Sequence, residues 1–338
     1  MADLTVSAGL ARGLVELAVS KGADQAALLA HAGIDPDALE DNDNRIPLAR
    51  YVALTRAGKE LSGDPALALH YGEMVDLSEI SVVGLITLAS ETMAEAFRQI
   101  NRYRGLVIEV DGVGSGDRFI IETDADGPWL VDTRANPNDF PELTEATFAR
   151  MACGPRRFSD TLRVRAVHVT HPAPRHRAEY ERIFDAPVVF DSDRNALLLT
   201  GNWFEHRVAV QPRFVFGILS DHAEALLRQM ESSRTVCGRV ESLLMPILHT
   251  GTANIGRIAV EMGLSRQTLY RRLKAEGTSF EKTLDGLRHK LALHYLGGNK
   301  ASVNEIAYLV GFSDPAAFSR AFKRWTGSSP RQARIPRP

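Results

Sequence analysis

The feature that most constrains this chain of 338 residues is a degenerate repeat in its C-terminal third. Residues 258–280 read IAVEMGLSRQTLYRRLKAEGTSF, and residues 306–329 read IAYLVGFSDPAAFSRAFKRWTGSS. Gly263 aligns with Gly311 at an offset of 48, and a pair of leucines in the first copy aligns with a pair of phenylalanines in the second at an offset of 49. Such self-similarity predicts two small modules of one kind in tandem.

Each copy has the pattern of a helix-turn-helix unit. In the second copy, Ser302 followed three residues later by Glu305 is typical of a capping box at a helix start. Gly311 predicts the end of that helix, because glycine adopts the left-handed conformation there without strain. Either Ser313 or Asp314 can cap the helix that follows. An apolar helical pattern between the copies, from residue 280 to 291, predicts one helix that joins the two units.

The second helix of each unit has an inner and an outer face. Leu269 and Leu273 in the first copy, and the equivalent phenylalanines in the second, are four residues apart and face inward. Arg, Gln and Thr side chains on the outer face suit base edges in the major groove of DNA. Tyr270 can instead pack on its own module. The predicted DNA-contacting residues are Arg266, Gln267, Thr268, Tyr270 and Arg271 in the first unit and Pro315, Ala316, Ser319, Arg320 and Lys323 in the second.

The charge is divided unevenly along the chain. Residues 251–338 contain 15 Lys and Arg against 6 Asp and Glu, a net +9, whereas the rest carries 25 against 36, a net −11. A basic segment on an acidic body is the asymmetry expected when one part of a protein meets nucleic acid. A solvated basic face is the alternative that charge alone leaves open.

Residues 251–334 resemble the DNA-binding domain of the AraC/XylS family of bacterial transcriptional regulators. VGFSDPAAFSRAFKRWTGSSP (310–330) is similar to the usual signature of that family. A less specific resemblance continues upstream, in residues 84–103 and 171–199, to the subgroup whose sensor domain is named after arabinose binding. The resemblance implies a sensor joined to two units that read successive major grooves from one face of DNA, and activation as the commoner behaviour. It does not imply a sugar effector.

The N-terminal part predicts an α+β domain of helices and an antiparallel sheet, followed by an all-α DNA-binding domain. Residues 162–171 predict a strand, and residues 108–123 and 187–199 each predict a hairpin. Residues 214–230 predict a long amphipathic helix whose apolar face either pairs two chains or belongs to the core. The expected domains are a sensor over 1–212, a helical linker and dimerisation element over 213–250, and the double helix-turn-helix over 251–338.

The sequence predicts no catalytic residue, no cofactor and no metal site. His168, His171 and His176 could ligate a metal, but structural roles are the simpler interpretation. Trp129, Trp203 and His206 could line a pocket or pack in a core, so the residues that bind an effector cannot be named.

The expected location is the cytoplasm. Two isolated cysteines fit a reducing compartment. The apolar run at 80–90 is too short to span a bilayer. The N-terminus shows no export signal.

These observations predict an effector-responsive transcriptional regulator, an activator, and not an enzyme. The expected partners are double-stranded promoter DNA, a small-molecule effector of unknown identity and RNA polymerase, with a second copy of the chain if the long helix pairs two chains; no membrane is expected. One alternative is an enzyme that acts on a metabolite and carries a DNA-binding tail. Another is an architectural DNA-binding protein without a ligand.

Overall fold

The computed structural model forms two compact units, Met1–Leu227 and Arg228–Pro338. It describes residues 4–334 except 112, 114–115, 157–158, 160, 209–212 and 299–300. Among the described residues, no helix is both long enough and apolar enough to cross a membrane.

Unit 1 begins with helices held by a two-stranded ribbon in which β1 and β2 pair antiparallel. Side chains of Ser7, Asp24 and Thr92 accept hydrogen bonds from backbone N–H groups at the starts of three of these helices, which satisfies donors that have no partner inside the helix. The elements are β1 (Thr5–Ser7), α1 (Ala8–Ser20), α2 (Gln25–Ala32), β2 (Arg45–Pro47), α3 (Leu48–Ser62), α4 (Leu67–Met74), α5 (Leu77–Ile80), α6 (Val82–Ala89) and α7 (Met93–Val107).

The second half of unit 1 contains a five-stranded sheet in the order β3-β4-β7-β5-β6. All neighbouring strands are antiparallel except β5 and β6, which are parallel. The predicted α+β class and the strand predicted within 162–171 are therefore confirmed. The elements are β3 (Phe119–Thr123), β4 (Pro128–Asp132), α8 (Pro141–Arg156), β5 (Val164–His168), α9 (Arg177–Phe184), β6 (Val188–Val189), β7 (Asn195–Leu199) and α10 (Arg213–Arg234).

Both predicted hairpins are wrong. β3 pairs with β4 and not with residues 108–111, because the tight turn lies after β3, where Asp124 accepts from the backbone of Asp126 and Gly127 has a φ of +133°. Part of the loop at 112–115 lies outside the described residues. β6 and β7 do not pair with each other, since both pair with β5. The sequence indicated strand-forming segments and local turns, but it did not indicate which strand each segment pairs with.

The sheet packs its two faces differently. Leu130, Val167 and Leu197 share one apolar core of unit 1 with Phe148 of α8 and Tyr180 of α9. The opposite face carries a smaller cluster of Trp129, Val131, Ala196 and Leu198. The strands therefore alternate between the two sides, as a pleated sheet requires.

Unit 2 is helical and has two apolar clusters. One cluster contains Leu269 and Leu273, and it also contains Val240, Leu244 and Leu248 from the segment predicted to be a linker. A fragment that keeps this core complete must therefore begin before Val236. The elements are α11 (Val236–Leu244), a 3-10 helix (Met245–Thr250), α12 (Ile255–Glu261), α13 (Arg266–Ala275), α14 (Phe280–Gly298), α15 (Val303–Leu309), α16 (Pro315–Thr326) and α17 (Pro330–Ala333).

Candidate nucleic-acid interface and ligand cavity

α12 and α13 form the first helix-turn-helix unit. Gly263, at a φ of +65°, makes the turn after α12. The Ser265 hydroxyl then accepts a hydrogen bond of 3.1 Å from the Thr268 backbone N–H and caps α13. Leu269 and Leu273 are completely buried. The inward pair predicted for this unit therefore lies where expected.

The opposite face of α13 is exposed and positively charged. Arg266, Gln267 and Arg271 are exposed, and Thr268 is half-buried, with its hydroxyl 2.8 Å from that of Ser265. Tyr270 is 53% exposed, which leaves its ring accessible to a ligand.

The basic side chains of α13 are not neutralised locally. None of the four, Arg266, Arg271, Arg272 and Lys274, makes an ion pair with another described residue. Unpaired cations on one helix face are what phosphate groups would neutralise.

α15 and α16 form the second unit. The Ser302 backbone N–H donates to the Glu305 carboxylate at 2.6 Å, and Ser302 Oγ accepts from the Glu305 N–H, which completes the predicted capping box. Asp314, and not Ser313, caps α16. Hydrogen bonds from the backbone N–H groups of Ala316 and Ala317, both 3.0 Å long, hold the pKa of the Asp314 carboxyl below its ordinary value.

The outer face of α16 carries fewer polar groups than that of α13. Ala316 is exposed, Pro315 is half-buried in the first turn, and the Ser319 hydroxyl donates to the Pro315 carbonyl at 2.9 Å. The Arg320 side chain is 75% exposed and lies 3.8 Å from the Asp314 carboxylate. Lys323 is exposed. This face therefore offers charge near its middle and end, and mostly apolar surface at its start.

α14 joins the two units. Its first half contributes Phe280 and Leu287 to the cluster of the first unit, and its second half contributes Ala292 and Leu296 to the cluster of the second. Arg288 donates to the carbonyls of Val310 and Gly311, at 3.2 and 2.9 Å, and ties the middle of α14 to the turn between α15 and α16. The predicted connecting helix is present and belongs to both cores.

A second candidate site is a cavity of about 160 Å³ in unit 1. It lies among α5, α6, α7, α8 and the start of β3, and its walls are mainly apolar. Trp203 lines this cavity. A position in a pocket wall was one of the two alternatives that the sequence left open for this residue, the other being core packing. Trp129 packs on the other face of the sheet, where the Arg194 guanidinium lies 4.3 Å from its ring. The His206 carbonyl accepts from the Met93 N–H.

Of the three histidines considered as metal ligands, His168 lies apart from the other two. His168 contacts the Ser192 hydroxyl at 3.0 Å. His171 and His176 belong to a buried network in which the Tyr180 hydroxyl contacts His171 Nε2 at 3.0 Å and donates to Glu145 at 2.7 Å. Over the described residues, no group of three or more His, Cys, Asp or Glu could hold a metal ion.

Comparison with known proteins decides the family. The sequence model for the N-terminal arabinose-binding domain of AraC transcription regulators matches residues 22–208, more than half of the chain, and a helix-turn-helix domain model matches residues 258–335. The chain belongs to the AraC family of transcriptional regulators. The resemblance predicted from the sequence is confirmed, and this AraC-family protein is a DNA-binding transcriptional regulator.

Relatives of this AraC-family regulator are similar over most of their length. The ornithine utilization regulator of Pseudomonas aeruginosa is 27% identical, over 96% of this chain and 95% of that protein. The HTH-type transcriptional regulator VirS of Mycobacterium tuberculosis is 26% identical, over 95% of this chain and 94% of that protein. The HTH-type transcriptional activator RhaS of Escherichia coli is 42% identical over 82 residues, which are 24% of this chain and 30% of that protein.

Two sets of residues in this AraC-family regulator were not predicted from the sequence. Lys274 occupies in α13 the position that Lys323 occupies in α16, and the repeat offset of 49 could have identified it. Thr147 and Arg150 of α8 line the cavity. No local signal marks them, because a threonine three residues before an arginine is ordinary on a helix.

Proposed function

We propose that this AraC-family regulator activates transcription in response to a small molecule that binds in the unit 1 cavity. We further propose that α13 and α16 are the two recognition helices and enter successive major grooves. The observation that carries the DNA-contact assignment is the exposed, unpaired set of cations on α13, opposite its buried leucines. The name of RhaS, an activator similar to this chain over 82 residues, supports activation.

The cavity supports the effector part of the proposal. It is concave, mostly apolar and bordered by a few polar groups, as small-molecule sites usually are. None of the described residues that line it is His, Cys or Lys, and Asp76, the one carboxylate among them, accepts from the backbone N–H and the hydroxyl of Ser78. The lining therefore favours a binding site over the alternative of a metabolite-acting enzyme.

α7 connects the cavity to α10 within unit 1. Phe97, Ile100 and Arg104 of α7 line the cavity. Arg102 of the same helix donates to the Glu224 carboxylate of α10 at 2.5 Å, and the Tyr103 hydroxyl donates to it at 3.1 Å. A ligand that moves α7 would therefore also displace α10, through these hydrogen bonds to Glu224.

A second copy of the chain is the proposed partner of α10, and RNA polymerase is the proposed partner of the DNA-bound protein. Phe214 is 77% exposed and Ile218 is 53% exposed, and the two lie one helical turn apart on α10. Large apolar side chains that recur on one helix face are typical of a surface that pairs with another helix.

The DNA part is tested with the purified fragment 228–338, which contains all the clusters of unit 2. Binding sites are first selected from a random duplex library, and affinity for the selected duplex is then measured between 50 and 200 mM salt. For about six phosphate contacts, we expect a plot of log affinity against log salt concentration to have a slope of about −5, because bound phosphates release counterions.

Two variants sharpen this experiment. Arg271→Gln with Lys323→Gln should make the slope shallower by about 2, since each substitution leaves one phosphate without its neutralising cation. Lys290→Gln is the matched control, since Lys290 lies on α14 and faces Glu241 at 3.4 Å. A fragment that selects no duplex, or binds with no salt dependence, would exclude the DNA interface proposed here.

A further inference from the structure

Arg150 is a cation without a partner in an apolar cavity. It lies on α8 and lines the unit 1 cavity beside Met151. Within the described part of the chain its guanidinium makes no hydrogen bond and no ion pair. The residue is half-buried, and burial lowers the pKa of the guanidinium. The titratable groups that act most on it are Tyr71, Tyr51 and Arg118, none of which is a carboxylate. A desolvated charge is unfavourable unless an anion pairs with it.

Thr147 adds a second unsatisfied donor to the same wall. It precedes Arg150 by three residues on α8, so both side chains lie on one face of the helix. Its hydroxyl is buried and has no hydrogen-bond partner in the described structure. Native proteins rarely leave buried polar atoms unpaired, so a hydroxyl and a guanidinium unpaired in one cavity point to a missing acceptor.

The other charged groups of the cavity are already engaged. Arg118 forms a two-pronged pair with Asp132, at 3.3 and 3.0 Å, and Arg134 contacts the same carboxylate at 3.0 Å. Burial opposes the charge on Asp132, but the two arginines outweigh it and hold the pKa of that carboxyl below its ordinary value. Asp76, the one carboxylate among the described lining residues, accepts from the backbone N–H and the hydroxyl of Ser78. Arg104, the third arginine of the lining, donates to the Asn101 carbonyl at 3.0 Å. Arg150 makes no such bond, and it therefore remains as the charge that a ligand would neutralise.

We propose that the cavity binds a small monocarboxylate with an apolar body, and that Arg150 and Thr147 hold its carboxylate. This deepens the proposed effector response and rests on it. The planar fork of a guanidinium matches a carboxylate, and the hydroxyl can donate to the same group. A cavity of about 160 Å³ is close to the roughly 150 Å³ that accommodates a benzene molecule in an apolar protein cavity. The apolar body is therefore one aromatic ring or a chain of similar size, about six carbon atoms.

The proposal is tested by calorimetric titration of the full-length chain at pH 7, without DNA, with two matched pairs of probes. The pairs are benzoate with benzamide, and hexanoate with hexanamide. The members of each pair have nearly the same shape and differ in charge. We expect at least one carboxylate to bind about tenfold or more tighter than its amide, because a hydrogen-bonded charge in a desolvated site is strongly favoured.

Variants assign the effect to the two residues. Arg150→Met should remove the preference for the carboxylate over the amide, and Arg150→Lys should retain part of it because the charge is kept. Thr147→Val should weaken carboxylate binding several-fold. It should weaken amide binding by a smaller factor. Arg98→Met is the matched control, since Arg98 is an exposed residue of α7 that does not line the cavity.

The free protein gives a second measurement. Arg150→Met should raise the midpoint of thermal unfolding without ligand, because it removes a half-buried charge that has no partner among the described residues. The proposal is overturned if neither carboxylate binds, if each amide binds as tightly as its acid, if Arg150→Met keeps the preference, or if that variant lowers the midpoint of the free protein. If a carboxylate binds as expected but does not change the affinity of the full chain for DNA, the site stands and the proposed effector response fails.

Discussion

Gln267 on α13 and Lys323 on α16 are both exposed, but their chemistry differs. A glutamine amide can form a bidentate pair with an adenine edge, whereas a lysine on this surface suits a phosphate as a point charge. Gln267→Ala should therefore change base preference by about 1–3 kcal/mol at one position of the site. Lys323→Ala should weaken all sequences alike. Binding-site selection on both variants of fragment 228–338 would measure this, and a changed preference for Lys323→Ala with none for Gln267→Ala would reverse the assignment.

The two turn glycines allow a matched comparison of backbone requirements. Gly263 and Gly311 occupy equivalent positions of the repeat, with φ of +65° and +80°. A Cβ at Gly263 would meet nothing within 4 Å, whereas a Cβ at Gly311 would lie 2.2 Å from the Leu248 carbonyl oxygen. Both alanine substitutions force a left-handed residue, which costs about 1–2 kcal/mol. Gly311→Ala must also displace backbone, so we expect it to lower the free energy of unfolding by about 1–3 kcal/mol more than Gly263→Ala does.

Urea unfolding of the fragment 228–338 measures both changes against the unsubstituted fragment. Equal decreases in the free energy of unfolding for the two variants would mean that the turn between α15 and α16 shifts away from Leu248 without penalty. That result would also contradict a fixed position of the 3-10 helix against the second helix-turn-helix unit.

At the residue scale, the sequence predicted what local physics determines. Ser302 caps a helix as expected, and Leu269 and Phe318 are buried as expected, because caps and i, i+4 pairs depend on neighbours within two turns. Arg150 was not predicted. Its meaning depends on which distant segments surround it, and no spacing within α8 reveals that.

At the element scale, α14 is the structural connection between the two helix-turn-helix units. Gly286 lies inside this helix, and a Cβ there would meet nothing within 4 Å. Glycine in a helix interior is less favourable than alanine by about 0.5–1 kcal/mol. Gly286→Ala should therefore stabilise the fragment 228–338 by about that amount and leave its DNA affinity unchanged.

Gly238→Ala is the contrasting variant for the same unfolding measurement. Gly238 lies on α11, and a Cβ there would fall 1.8 Å from the Ser232 carbonyl oxygen, so this substitution should destabilise the fragment. A decrease in DNA affinity in Gly286→Ala would indicate that α14 must bend for both helices to reach DNA.

The strands show where element-scale prediction ends. The segments over 164–168 and 195–199 are strands, as their apolar and β-branched residues indicated. In the sheet, β5 lies between β7 and β6, so it pairs with two strands that come later in the chain. Hairpin rules consider only strands that are consecutive in sequence, and they therefore cannot predict this order. The helices of unit 2 were easier to predict because their caps and their buried i, i+4 pairs lie within one repeat.

At the scale of the whole molecule, the cavity lies in unit 1 and the basic surface of α13 lies in unit 2. α10 carries Glu224, which holds α7 beside the cavity, and it continues to Arg234, just before the first helix of the DNA-binding core. The segment after it packs into that core through Val240 and Leu244. If the proposed effector site is coupled to the DNA-binding surface, a coupling free energy of about 1–3 kcal/mol would change DNA affinity about 5–150-fold.

Removing the sensor tests how that coupling acts. If the effector-free sensor restrains the basic domain, the fragment 228–338 should bind the selected duplex about 5–150-fold tighter than the effector-free full chain, and no ligand should alter its affinity. If α13 and α16 are the recognition helices, as proposed, one chain reaches successive grooves about 34 Å apart, so the half-site for one chain should be asymmetric. If the fragment binds no better than the full chain, restraint is wrong. Control would then depend on pairing of two chains, and Phe214→Ser should lower both the molecular mass in sedimentation and the affinity of the full chain for a site with two half-sites.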